Sequence, residues 1–158
     1  MSEQASAIAR LCCKAVPDGP HATWTNALVI GDEIVMSGMT GHPATQEASG
    51  RGQPLSTYEQ TLIVLGKIRG LVEAAGGNIG CIYKLVVYVT DIADKTEVGR
   101  ARQEFFASHI EAGGAYPCST LIEVSGLVFP ELRVEIEACA RLSATKPASH
   151  EAAVKQKT

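Results

Sequence analysis

A run of seven residues near the C-terminus constrains this chain more than any other. Between positions 132 and 138, Leu132, Val134, Ile136 and Ala138 alternate with Arg133, Glu135 and Glu137. A period of two is the signature of a β-strand with one apolar and one polar face. The two glutamates then stand about 7 Å apart on one face, because a strand rises ~3.3 Å per residue. Carboxylates that close repel unless they are partnered or separated by water. Their face is either open to solvent or part of a site. A second β-prone run, residues 119–124, lies just upstream, across a turn containing Gly126 and Pro130.

Composition excludes several classes of function. At 158 residues the chain is long enough for one domain with a sizeable core and no metal or disulfide staples. A net charge of −3 argues against a sequence-independent nucleic-acid binder or an anionic-membrane binder, both of which need a basic patch. No apolar run approaches the roughly 18–20 residues of a membrane-spanning helix. The first residues, MSEQASAIARLCC, have no basic stretch leading into a long apolar segment, so no signal peptide is expected. Five cysteines, an odd number with Cys12 beside Cys13, do not make a disulfide framework, and a reducing cytoplasm is the expected setting. His21, His42, His109 and His150 share no metal-ligand spacing with one another or with a cysteine, so no metal is expected.

From the N-terminus, residues 1–7 read as a loose end and residues 8–16 as an edge strand, before the turn Pro17-Asp18-Gly19-Pro20. Residues 27–30 and 33–37 flank Gly31-Asp32 as a β-hairpin ending at Ser37-Gly38. A glycine there permits either a bend or the close approach of a ligand or another backbone. Residues 41–54, rich in Gly, Pro, Ala and Ser, predict a long exposed loop. Ser56 and Glu59 form a capping box, and Tyr58, Leu62, Leu65, Ile68, Val72 and Ala75 continue as a helical apolar stripe until Gly76-Gly77. Residues 82–90, apolar on both faces, predict a central strand covered on two sides. Asp94 and Glu97 repeat the capping pattern for a second helix, with Val98, Ala101 and Phe105 on its inner face and Arg100 and Arg102 in its first half. Residues 1–142 make one domain, and the polar residues 143–158 predict a frayed tail.

This order describes an α+β domain of about six strands and two long helices. Two helices cover one face of such a sheet, yet its central strand is apolar on both. Self-association resolves the mismatch, with the second face packed on other subunits. Glu135 and Glu137 then line an interface instead of open water.

Several features recur here in one order and spacing. Ser37-Gly38 closes the first hairpin, and GLVEAAGGNIGCIYKLVVYVTDI joins helix to strand. Phe105-Phe106 falls late in the second helix, Pro117 leads the penultimate strand, Ile122-Glu123-Val124 follows, and Val134-Glu135-Ile136-Glu137-Ala138 ends the domain. Over roughly positions 20–142 the chain resembles the YjgF-like, or Rid (reactive intermediate deaminase), family. The resemblance implies a chorismate-mutase-like fold, a mixed sheet with two long helices on one face, and a homotrimer with clefts between subunits. It also implies hydrolysis of amino-acid-derived enamines or imines to 2-keto acids and ammonia, with no metal or organic cofactor.

Carried over residue by residue, the family's water-positioning glutamate falls on Glu135, and its substrate-contacting backbone on Ser37 and Gly38. The aromatic that closes the cleft falls on Trp24, which reads equally as a tryptophan packed for area. The arginine that grips the substrate carboxylate in the deaminating branch corresponds to Ser119, and a nearby cysteine to Leu121, with Thr120 between them; an asparagine of the second helix corresponds to Gly99. A charge-assisted hydrogen bond contributes about 1.5–3 kcal/mol, and a bidentate clamp supplies two. Without it, affinity for a 2-imino acid falls by ~10²-fold or more. Arg102 or Arg100 is the candidate replacement cation, and Arg133, by parity with Glu135, a candidate to neutralise the glutamate pair. Cys118, opposite in parity to Ser119 and Leu121, is expected to point away from the cleft; no neighbouring histidine activates it. The expected function is metal-free hydrolysis or deamination of a small enamine, imine or related reactive metabolite, not the ordinary 2-imino acid. The alternative is a non-catalytic trimeric metabolite-binding or regulatory protein. An RNA-cleaving role, attributed to some relatives, finds no basic–aromatic pattern here.

Overall fold

The computed structural model describes residues 7–145. Ile8–Arg10 (β1), Ala27–Ile30 (β2), Glu33–Thr40 (β3), Ile82–Val89 (β4), Cys118–Glu123 (β5) and Val134–Arg141 (β6) form one sheet in the order β1-β2-β3-β6-β4-β5. The β4–β5 pair is parallel and the others antiparallel. A short helix, Ala44–Gly50 (α1), precedes the two long ones, Thr57–Ala74 (α2) and Lys95–Glu111 (α3). The expected α+β architecture with a six-stranded mixed sheet is the one the chain adopts.

β6, the strand with the strictest alternation, is the spine of the sheet. Val134, Ile136, Ala138 and Ala140 are buried under the helices, while Glu135, Glu137 and Cys139 are half-buried on the opposite face. The core joins Val64, Leu65, Ile68, Leu71 and Val72 of α2 to Ile34, Leu85, Val87 and Phe106. β5 and β6 do not pair with each other. A helical crossover through α3 sets β5 parallel to β4 at the sheet edge, as right-handed β-α-β connections do. The chain then crosses back to place β6 on the other side of β4.

Several local expectations are corrected. The edge strand is only three residues long. Residues 44–50 form α1, because Ala, Gln and Glu favour helix and Thr45 and Ala48 give it a buried side. The buried face of α2 begins with Thr57, Gln60 and Thr61, whereas Tyr58 and Leu62 are only half-buried. Phe106, not Phe105, is the fully buried ring of α3. Ser56 and Glu59 do form the reciprocal capping box. The capping expected of Asp94 and Glu97 at α3 is corrected: Asp94 is its N-cap residue but makes no side-chain capping bond there. The pair serves α2 instead, Thr57 donating to Asp94 at 2.6 Å and Tyr58 N to Glu97 at 2.8 Å. Two carboxylates at the positive end of α2 stabilise both the orphan N–H and the dipole.

β4 is buried on one face only; Tyr83 and Lys84 are exposed, and Val86 and Tyr88 half-buried. No helix among the described residues is long and apolar enough to cross a membrane. The expected tail begins with a 3₁₀ turn, Leu142–Thr145, whose Leu142 N donates to Asp32 O at 2.8 Å; the remainder of the tail, like residues 1–6, lies outside the described residues.

Gln60 fastens the segment that feeds β6. It is fully buried; Nε2 donates to Leu55 O and Glu131 O, each at 3.1 Å, and Oε1 accepts from Arg133 N at 2.9 Å. Gln60→Leu leaves three backbone groups unpartnered, each costing about 1–3 kcal/mol where burial is complete. The expected loss is about 3 kcal/mol, read as a lower urea midpoint; a midpoint equal to wild type would mean these bonds contribute nothing.

Candidate active site: a carboxylate over a bulge, and a separate arginine

In the β3–β6 ladder Met36 pairs with Ala138 and Met39 with Ile136, so β3 carries one extra residue. This β-bulge turns both methionines into the core. Ser37 and Gly38 occupy it. Ser37 N donates to Asn26 O at 2.9 Å, and its hydroxyl donates to Thr25 O at 2.6 Å. Ser37 thereby ties the segment beside Trp24 to β3. A Cβ on Gly38 would lie 2.0 Å from Glu135 Oε1. The space left by the missing side chain is filled by the Glu135 carboxylate.

The two glutamates of β6 are not equivalent. The Tyr88 hydroxyl donates to Glu137, whereas Glu135 has no side-chain hydrogen bond among the described residues. Half-burial, and secondarily the charge of Glu137, raise the Glu135 carboxyl above the ordinary carboxylate range. Arg133 does not neutralise the pair. It precedes the first residue of β6, and its guanidinium lies 2.8 Å from Asp94 while Nε donates to Thr57 and Asp94.

Two cavities meet at Gly38 and Glu135. One, of about 280 Å³, is bounded by Tyr88, Val124, Leu127 and Glu137. The other, of about 500 Å³, is bounded by Trp24, Thr40, His42, Val128 and Phe129. Trp24 is 61% exposed in the single chain and takes no part in its core. The His42 ring stacks on Phe129 with centroids 4.5 Å apart. Lys67 holds this corner, its Nζ donating to Thr40 O at 2.8 Å and His42 O at 2.5 Å. Burial lowers the Lys67 pKa.

A second cluster lies across the sheet. Ser119 and Leu121 pair with Leu85 and Val87, on the helix-covered face; Cys118, Thr120 and Ile122 pair with Lys84, Val86 and Tyr88, on the face of Glu135. Arg102 Nη1 donates to Ser119 Oγ at 2.6 Å and makes no ion pair among the described residues. Arg102 lines a cavity of about 230 Å³ together with Gly99, Gln103, Phe106, Tyr116 and Pro117. Arg100 is engaged elsewhere, 4.1 Å from the centroid of Tyr58. The strand parity expected of Cys118 is correct, but the face it occupies is that of Glu135.

Residues 15–142 match the family described as Endoribonuclease L-PSP. The chain belongs to this family, the YjgF-like or Rid proteins. Over 112 residues it is 31% identical to the 2-iminobutanoate/2-iminopropanoate deaminase of Escherichia coli K12, covering 70% of this chain and 80% of that one. The crystal structure of a protein of unknown function from Pseudomonas aeruginosa is 60% identical, with a TM-score of 0.82 over 87% of this chain and 94% of that one. The crystal structure of E. coli TdcF with bound serine is 25% identical, with a TM-score of 0.70 over 84% of this chain and 98% of that one.

On this Rid fold the candidate residues fall into two groups. Trp24, Ser37, Gly38 and Glu135 gather in one place; Arg102, Ser119 and Leu121 gather in another, on the opposite side of the sheet. Thr120 faces the Glu135 side but stands two strands away from β6. His42, Phe129 and Tyr88 line the cavities beside Glu135 and were not among the expected members of the candidate site. His42 sits in the stretch read as an exposed loop, and the only sequence signal for it was a histidine among small residues.

Proposed function

We propose that this Rid-family protein hydrolyses imines or enamines of small metabolites in a cleft assembled from two copies of the chain. The observation that carries the reading is the Glu135 carboxylate: unpartnered, half-buried, raised in pKa and laid over a bulged glycine between two cavities. A carboxylate whose proton is held more tightly than usual can both accept and return a proton during the reaction.

The chemistry then follows. Glu135 orients a water against the imine carbon. The water oxygen bonds to that carbon, and one of its protons passes to the carboxylate and on to the nitrogen. The hydroxyl proton of the resulting carbinolamine then passes to its nitrogen, again by way of the carboxylate, as the C–N bond breaks; the bonding pair leaves with ammonia and the carbonyl forms. Arg102, which donates to Ser119 and has no acidic partner among the described residues, suits an anionic substituent. It stands in for the strand arginine expected at position 119.

Arg102 and Glu135 lie on opposite faces of one sheet and cannot act on one small molecule within a single chain. In a cyclic homo-oligomer with heterologous contacts, one patch of each copy meets a different patch of the next. A trimer of this kind brings the Arg102 cavity of one copy to the Glu135 cavities of its neighbour. It also covers the exposed apolar face that includes Val35 and Ile122.

The test is keto-acid release from imines generated in place by an amino-acid oxidase, measured beside spontaneous hydrolysis. Acceleration for at least one of acidic, aliphatic or aromatic amino acids is expected. Equal release with and without the protein across all three overturns the reading and leaves metabolite binding without turnover.

A further inference from the structure

The larger cavity beside Glu135 has features that imine hydrolysis alone does not require. Its volume of about 500 Å³ lies within the range of roughly 300–1,000 Å³ typical of pockets for drug-sized ligands. The side chain of an alanine- or aminobutyrate-derived imine occupies a small part of it. Its wall is Trp24, Val128 and Phe129. In the single chain Trp24 is 61% and Val128 71% exposed, so two large apolar side chains stand at the mouth of a cavity that ends on a carboxylate. Flat apolar walls of this kind favour a planar aromatic guest, by stacking as well as by area.

His42 adds one polar contact to the same cavity. Its Nδ1 is buried and has no hydrogen-bond partner among the described residues. A buried lone pair without a donor is tolerated more readily than a buried N–H without an acceptor. The neutral tautomer therefore carries its proton on Nε2, which has no protein partner among the described residues. The ring is fixed for that role by stacking on Phe129 and by the Lys67 clamp on the His42 carbonyl.

Resting on the proposed hydrolysis at Glu135, we infer that this cavity is a side-chain subsite for an aryl group. Trp24, Val128 and Phe129 enclose the ring, and His42 Nε2–H donates to an acceptor carried on it. The substrate class is then imines derived from aromatic amino acids, with a hydroxylated ring preferred to a bare one.

Binding of unreactive product-like 2-keto acids tests the inference without requiring turnover, so its failure is separate from failure of the deaminase reading. Titration calorimetry on the full chain should give phenylpyruvate an affinity about tenfold or more above that of pyruvate, and 4-hydroxyphenylpyruvate a higher affinity still. Trp24→Ala should bring the phenylpyruvate-to-pyruvate ratio towards one. His42→Phe keeps the stacked ring and should abolish only the extra preference for the hydroxylated acid. Equal affinity for phenylpyruvate and pyruvate, or binding of neither, overturns the subsite. An unchanged hydroxyl preference in His42→Phe overturns the role of His42.

Discussion

Glu135→Gln should abolish accelerated imine hydrolysis while making the protein more stable at neutral pH. An amide still fits beside Gly38 and still accepts a hydrogen bond from water, but it cannot take the proton. General acid–base assistance is worth about 10²- to 10⁴-fold, and turnover should fall by that factor. The stability change has the opposite sign because half-burial and the charge of Glu137 raise the Glu135 carboxyl in the folded state. The folded protein holds that proton more tightly than the unfolded chain does. The resulting stabilisation is present below the unfolded carboxylate pKa and is lost as pH rises through the raised folded value. Above that window ionised Glu135 costs stability and glutamine does not. Melting curves at pH 8 should place Glu135→Gln above wild type, with the gap closing as pH falls below the ordinary carboxylate range. Wild-type activity should rise with pH through a midpoint above the ordinary carboxylate range. Turnover retained in Glu135→Gln would remove the glutamate from the chemistry; a melting temperature below wild type at pH 8 would mean the carboxylate is stabilising, not strained.

That trade between activity and stability was half visible in the sequence. Alternation through residues 132–138 identified the strand and put the two glutamates together on its non-core face, because side-chain parity is a local property. Alternation did not distinguish Glu135 from Glu137. The difference comes from Tyr88, which reaches Glu137 from a strand more than forty positions away, and from Gly38, whose missing side chain makes room for Glu135. Both are consequences of register. The bulge at Ser37-Gly38 is similarly invisible to a pattern of apolar residues, although Met36 and Met39 can share the core face only if an extra residue intervenes. What parity left open was the face. Ser119 and Leu121 were correctly separated from Cys118 by parity, but parity within β5 says nothing about which face of β5 matches that of Glu135. This depends on the parallel β4–β5 register, set by a crossover that no local signal encodes. The loop carrying His42 was lost for a related reason: small residues permit a short helix as readily as an exposed loop, and tertiary contact through Thr45 and Ala48 decides.

The placement of Arg102 and Glu135 on opposite faces leads to the sharpest experiment, because it turns geometry into arithmetic. Arg102→Leu removes the guanidinium held by Ser119. A charge-assisted contact to a carboxylate is worth about 1.5–3 kcal/mol, so kcat/KM for an anionic imine should fall by ~10- to 10²-fold. Glu135→Gln is impaired by a different route. Each variant alone lacks one half of every site. When equal amounts of the two are co-expressed or refolded together, an interface is intact if the copy supplying its arginine is the Glu135→Gln variant and the neighbour supplying its glutamate is the Arg102→Leu variant. Random assembly makes about one quarter of the interfaces intact, and about one quarter of wild-type activity should return. A site built within one chain cannot be restored by any mixture, because every chain carries one lesion. Activity no greater than the mean of the two variants, in mixtures shown to contain hetero-oligomers, would therefore overturn the shared cleft. Full activity in Arg102→Leu alone would remove the arginine from the site.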